Sequence, residues 1–283
     1  MNKIIERFLI FFIGLPLLVC LVLFLPQRHN LALNLVVVLV SALGSVEMAG
    51  MLKRKGAPLP PVEAGILGAL LPLAMTAVVC FGVDPLFVPG VVMLAVSWLL
   101  VSRTLGGAEK LEGLLPLVAA GFSVLIYPGF FLVWIIRLVR YPRGHLIVLI
   151  FLLMVFAFDS AAWAAGMLFG KGNRNIIPAS PNKSVAGFVG GLAASTLLGL
   201  GVVSLLPEPF TPRYIPGVLS GLILGCLSGF AAAFGDLAES ALKRSCGIKD
   251  SGALIPGRGG VLDSVDSVAM AAPVYYVLYR FLF

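Results

Sequence analysis

The chain has 283 residues, of which 60% are apolar and 12% charged, with 20 Lys and Arg against 13 Asp and Glu. A soluble domain carries roughly 25% charged residues, so at a mean hydropathy of +1.06 both an ordinary soluble protein and a disordered chain are excluded. What remains is an all-α, polytopic integral membrane protein, and at about 30 residues per span and connection the length allows roughly eight to ten helices.

In chain order, apolar runs lie at 8–26, 31–52, 63–83, 86–102, 111–136, 145–169, 187–206, 216–238 and 267–283. They are continuous rather than alternating, which fits helices and not a barrel wall. This predicts about nine transmembrane helices. The first run follows Lys3 and Arg7 and lacks a small-x-small cleavage site after it, so it reads as a retained span rather than a signal peptide. The fourth run is short and the fifth holds Pro116 and Pro128. The breaks carry Pro, Gly and charge, as at Lys53-Arg54-Lys55-Gly56, Arg137 to Arg143, Lys171 to Lys183 and Lys243 to Asp266.

With nine spans and the N-terminus inside, 14 of the 20 basic residues fall on the cytoplasmic side, the others being Arg28, Arg137, Arg140, Arg143, Arg213 and Arg280. That bias predicts an N-in, C-out topology, although Arg137, Arg140 and Arg143 run against it. The net charge of +7 suits loops facing anionic headgroups and needs no nucleic acid. The cysteines Cys20, Cys80, Cys226 and Cys246 show no metal or disulfide spacing, and His29 and His145 have no partner nearby in sequence. The spacings Gly187-x3-Gly191, Gly221-x3-Gly225 and Gly225-x3-Gly229 predict close helix packing in lipid.

Chemistry concentrates in the second half. Asp159 and Asp236 lie in strongly apolar runs, where an ionisable group costs several kcal/mol unless paired or hydrated. On a helix, Asp236, Glu239, Ser240 and Lys243 form one polar stripe at i, i+3, i+4 and i+7. Ion pairing along the helix is the plain alternative. The Gly-rich stretch from Gly247 to Gly260 carries Lys249 and Arg258, a phosphate cradle in kind. Asp263 and Asp266 then open the last run three residues apart. An acidic helix start explains one of them, whereas the pair together with Asp236 suits a hard divalent cation. Ser180-Pro181-Asn182-Lys183 sets a cation beside the membrane in the loop after Asp159.

The pattern Ser240-x-Leu242-Lys243-Arg244-x4-Lys249-Asp250-x-Gly252-x2-Ile255-Pro256-x-Arg258-Gly259-Gly260-Val261-x-Asp263-x2-Asp266 resembles the signature of the phosphatidate cytidylyltransferases, or CDP-diacylglycerol synthases. Asp159 and Ser180 to Lys183 are similar to that family's pattern too, so the likeness runs through 141–283, the expected catalytic region, while 1–140 resembles it only as hydrophobic helices. Three positions depart: Arg258 stands where the family usually has His, Ser264 where it has Arg, and Ala186 where an acidic residue is common. The resemblance implies CTP and phosphatidate as substrates, CDP-diacylglycerol and pyrophosphate as products, one or two Mg2+ ions, a cell-membrane location and an active site facing the cytoplasm. A homodimer is compatible with it. It implies metal binding by Asp236, Asp263 and Asp266, with Lys243, Arg244, Lys249 and Asp263 as the catalytic set. Asn182, Lys183, Ser240, Arg258, Gly259 and Gly260 join the same cations in holding substrate, and Asp159, Glu239 and Asp250 support them. Two alternatives stay open at this point: a CTP-dependent enzyme acting on another lipid, and an ion-coupled transporter. The crowding of acidic residues into one half argues against the inverted repeats of a transporter.

Overall fold

The computed structural model describes residues 13–102, 104, 111 and 113–283. Lys3, Arg7, Arg103 and Lys110, which entered the orientation count, lie outside them. The described residues form helices without a β-strand, in the order α1 (Leu15–Phe24), α2 (Gln27–Lys53), α3 (Pro61–Phe81), α4 (Phe87–Val101), α5 (Leu114–Leu138), α6 (Gly144–Phe169), α7 (Val185–Leu205), α8 (Gly217–Ser245) and α9 (Leu262–Leu282). Each of the nine apolar runs therefore holds a helix, and among the described residues six helices, α2, α3, α5, α6, α7 and α8, are long and apolar enough to cross a membrane. The protein is an all-α integral membrane protein, and the nine expected spans are not all matched by helices of spanning length among the described residues. The reasons are physical. The 15 residues of α4 reach about 22 Å at 1.5 Å per residue, short of a hydrocarbon core about 30 Å thick. The 21 residues of α9 are long enough, yet Asp263, Asp266, Arg280 and three tyrosines dilute its hydropathy.

The chain divides into two compact units, one holding the described residues up to Arg140 with Cys246–Val265, the other Tyr141–Ser245 with Asp266–Phe283.

In the first unit α2 and α3 pack closely because Gly68 has no side chain: a Cβ there would sit 1.8 Å from Ser45 Oγ and 2.9 Å from Ser41 O. Pro61 opens α3 and Gly82, left-handed at φ 70°, closes it, the usual division of labour between these two residues. The fifth run forms one helix with a π-helical turn, Leu125–Phe130, around Pro128. Proline has no N–H for the α-helical bond, and the wider turn absorbs that loss.

In the second unit the small-residue spacings do what the sequence suggests. Gly187 and Gly191 on α7 face α6, where Cβ atoms would meet Ala162 O at 2.6 Å and Phe158 O at 2.8 Å. Gly221 and Gly225 on α8 face α7, with Gly199 O at 2.4 Å and Ser195 O at 2.3 Å. Backbone atoms cannot swing aside as side chains can, so these glycines fix the α6–α7–α8 spacing. Ser184 caps α7 by accepting the Gly187 N–H at 3.0 Å, and Tyr279 Oη donates to Pro209 O at 2.6 Å.

Candidate active site

In the second unit, three carboxylates from three stretches of sequence converge. Asp236 comes from α8, Asp266 from the first turns of α9 and Asp159 from α6. Asp266 is buried, and the charges of Asp236, Asp159 and Lys243 all act on it. Its Oδ1 accepts the Ser267 N–H at 2.6 Å, and Ser267 Oγ lies 3.5 Å from Asp159 Oδ1. Gly235 makes the approach of α8 to α9 possible, since a Cβ there would come 2.5 Å from Asp266 O and 2.8 Å from Met270 Cβ.

Lys183 enters from the loop before α7 and places Nζ 2.5 Å from Asp236 Oδ2, while Ser240 Oγ lies 3.5 Å from Asp236 Oδ1. The polar stripe of α8 thus splits in two. Asp236 reaches off the helix to Lys183, whereas Glu239 and Lys243 form the ion pair along the helix. Glu239 is wholly buried, so the Lys243 ammonium offsets the cost of holding that carboxylate out of water. Arg244 and Asn182 are exposed.

The first unit holds the Gly-rich stretch. Ile255 N donates to Gly259 O at 2.8 Å and Gly259 N to Ile255 O at 3.0 Å, closing a tight turn through Pro256, Gly257 and Arg258. Gly259 has φ 111°, a conformation that side chains resist. Arg258 is exposed at the tip of this turn, and Lys249 and Asp250 are exposed beside it in sequence.

The sequence reads this stretch as a phosphate cradle. The structure shows two of its N–H groups, those of Ser251 and Gly260, and the two that follow it, of Val261 and Leu262, engaged by the protein's own carboxylates. Asp263 Oδ2 accepts from Ser251 N at 2.8 Å, Gly260 N at 2.7 Å and Ser251 Oγ at 3.0 Å. Glu47, on α2, accepts from Val261 N and Leu262 N, each at 2.9 Å, and its Oε2 lies 3.0 Å from Ser251 Oγ, whose one proton it shares with Asp263. The backbone donors of Gly259 and Gly260 are thus used within the chain, and Lys249 and Arg258 are the cations this stretch presents. Sequence reasoning singled out Asp159 and Asp236 for their depth in apolar runs and passed over Glu47, which lies in the run 31–52 and carries the same signal.

The residues suit a hard cation in kind, since carboxylate oxygens are the ligands Mg2+ takes. Among the described residues no three His, Cys, Asp or Glu side chains gather closely enough to cage a metal ion alone. That is compatible with an ion held by one or two carboxylates and completed by substrate phosphates. Asp236 and Asp266 are like charges acting on each other, with Lys183 as the near counter-charge.

Comparison with known proteins places this architecture. The chain is 34% identical over 209 residues to the uncharacterized protein YnbB of Escherichia coli strain K12, covering 71% of this chain and 65% of that one. It is 36% identical over 137 residues to a phosphatidate cytidylyltransferase of Synechocystis, covering 48% and 44%. It is 35% identical over 177 residues to a phosphatidate cytidylyltransferase of Thermotoga maritima, covering 58% and 60%. The match thus spans less than two thirds of each relative's own length. The model of the cytidylyltransferase family matches residues 5–282. The chain belongs to the cytidylyltransferase family.

Proposed function

We propose that this protein is a membrane nucleotidyltransferase that joins CTP and phosphatidate into CDP-diacylglycerol and pyrophosphate. The observation that carries the reading is the family match across residues 5–282. It is supported by relatives named phosphatidate cytidylyltransferase and by a cluster of carboxylates with a lysine on apolar helices.

In the reaction a phosphate oxygen of the lipid attacks the α-phosphorus of CTP. The bond from that phosphorus to the bridging oxygen breaks, and pyrophosphate leaves. A phosphate monoester is already anionic at neutral pH, so no strong general base is required. The protein's work is alignment and charge neutralisation. Lys183 and Lys243 lie beside carboxylates and offset part of their negative charge. Arg244, Lys249 and Arg258 are exposed cations suited to phosphate oxygens, and Asn182 and Ser240 add neutral donors. Asp236 and Asp266 would hold a divalent cation. That ion supplies charge neutralisation at the phosphates. Glu239 and Asp159 set the charge around them, and Asp250 neighbours Lys249.

The proposal places the enzyme in the cell membrane with its site facing the cytoplasm, where CTP is. The clustering of Lys and Arg around the motif stretches supports that side. The motif groups handle phosphate, so they leave the lipid tail open. Radiolabelled CTP offered with phosphatidate, lysophosphatidate, a lipid alcohol and an isoprenoid phosphate reads the acceptor directly. Label entering the phosphatidate product at the highest rate is expected. Transfer to a lipid alcohol alone would replace the reading with that of a lipid kinase or a related transferase.

A further inference from the structure

We propose that Glu47 is a positioning residue for the motif stretch of this enzyme. The inference rests on the cytidylyltransferase reading of the site and adds to it a residue outside the signature.

Glu47 sits in α2, whose sequence is apolar enough to span a membrane. A carboxylate in such a segment is costly unless its oxygens are satisfied. The donors to Glu47 come from one distant stretch: Oε1 accepts from Val261 N and Oε2 from Leu262 N, and Ser251 Oγ lies 3.0 Å from Oε2. Val261 and Leu262 stand at the start of α9, where N–H groups have no partner within the helix and the helix dipole favours a negative charge. Glu47 therefore acts as a cap supplied by another helix.

The fit is close on both sides. A Cβ at Gly252 would lie 2.4 Å from Glu47 Oε1, and one at Gly260 would lie 2.4 Å from Glu47 Oε2 and 2.2 Å from Ser251 Oγ. Two glycines of the signature are thus explained by the carboxylate they admit. Ser251 Oγ also lies 3.0 Å from Asp263 Oδ2, so the hydroxyl joins Glu47 to Asp263. Between Ser251 and Leu262 the stretch is tied at both ends by one side chain of α2. Arg258 projects from the turn so held, Asp263 follows its end, and Lys249 and Asp250 lead into it.

The test uses the full chain in detergent, comparing wild type with Glu47→Ala and Glu47→Gln by hydrogen–deuterium exchange and by steady-state kinetics with CTP and phosphatidate. In Glu47→Ala, exchange over 251–262 should accelerate at least about tenfold while α3 keeps its protection, and kcat/KM should fall by about 10- to 100-fold, the range for losing hydrogen bonds to a charged group. Glu47→Gln keeps the shape and one acceptor oxygen, so it should recover part of both. Unchanged exchange over 251–262 in Glu47→Ala overturns the proposal, as does faster exchange there with unaltered kinetics. If Glu47→Ala also loses protection across α3, the glutamine variant decides: unchanged exchange and rate in it overturn the proposal, and a partial loss of both at 251–262 supports it. A wild type that turns over no CTP would count against the proposed function, while the exchange rates would still read whether Glu47 holds this stretch.

Discussion

Lys183 and Asp236 meet at 2.5 Å, Nζ to Oδ2, and so join the loop before α7 to the polar stripe of α8. The pair gives the Ser-Pro-Asn-Lys stretch a purpose that its own turn chemistry does not. It brings a cation to a place where Asp236 and Asp159 both act on buried Asp266. Both partners are partly exposed, so the pair contributes little to stability through Coulomb attraction alone. Its value lies in the charge it sets beside the carboxylates.

Removing that charge should affect the reaction more than the fold. Lys183→Ala is expected to lower kcat/KM by about 10- to 100-fold, with Lys183→Arg retaining more. Because the two groups interact, Lys183→Ala combined with Asp236→Ala should cost less than the two separate losses together. Strict additivity in that cycle would show that the ion pair plays no part in turnover.

Divalent cation should be required. Chelation should abolish pyrophosphate release, and Mg2+ should restore it. Asp266→Asn preserves shape and removes charge, so its Mg2+ requirement should move to higher concentration. A titration curve that coincides with wild type would remove Asp266 from the metal assignment.

Two glycines of the same residue type should respond in opposite directions. Gly235→Ala forces a methyl against Asp266 O and Met270 Cβ and should destabilise by about 1–3 kcal/mol. At Gly50, inside α2, nothing lies within 4 Å of an added Cβ, and Gly50→Ala should stabilise by about 0.5–1 kcal/mol. Thermal unfolding in detergent reads both. Equal effects would mean that the α8–α9 approach is not set by Gly235.

Arg258 uses only its backbone N–H in holding the turn, donating to Ile255 O. Arg258→Ala should therefore leave exchange over 251–262 unchanged while raising the KM for CTP or for the lipid by about tenfold or more, as expected for loss of a charge-assisted contact to phosphate. Unaltered kinetics would make its exposed guanidinium a bystander.

Much of this was legible in the chain. Continuous apolar runs gave the helices, because a segment in lipid must satisfy its backbone internally. Gly-x3-Gly spacings gave the α6–α7–α8 contacts, because only hydrogen lets backbones meet so closely. Other features depended on contacts far apart in sequence. No spacing rule pairs Lys183 with Asp236 or Glu47 with Val261. The Gly-rich stretch showed that an anion could be held by backbone N–H groups, but not which anion. Glu47 and Asp263 take four of those N–H groups, from Ser251, Gly260, Val261 and Leu262. Whether an apolar run is of spanning length depends on helix bounds and polar residues, as α4 and α9 show, and these are not set by mean hydropathy.

The central claim is cytidylyl transfer, and it is tested most directly by pyrophosphate release from the purified full chain in mixed micelles with CTP, phosphatidate and Mg2+. The account predicts that pyrophosphate and CDP-diacylglycerol form in equal amounts, only when all three are present, and that Asp236→Asn suppresses both. Absence of pyrophosphate from a folded wild-type protein under these conditions, or release that does not depend on phosphatidate, would contradict it.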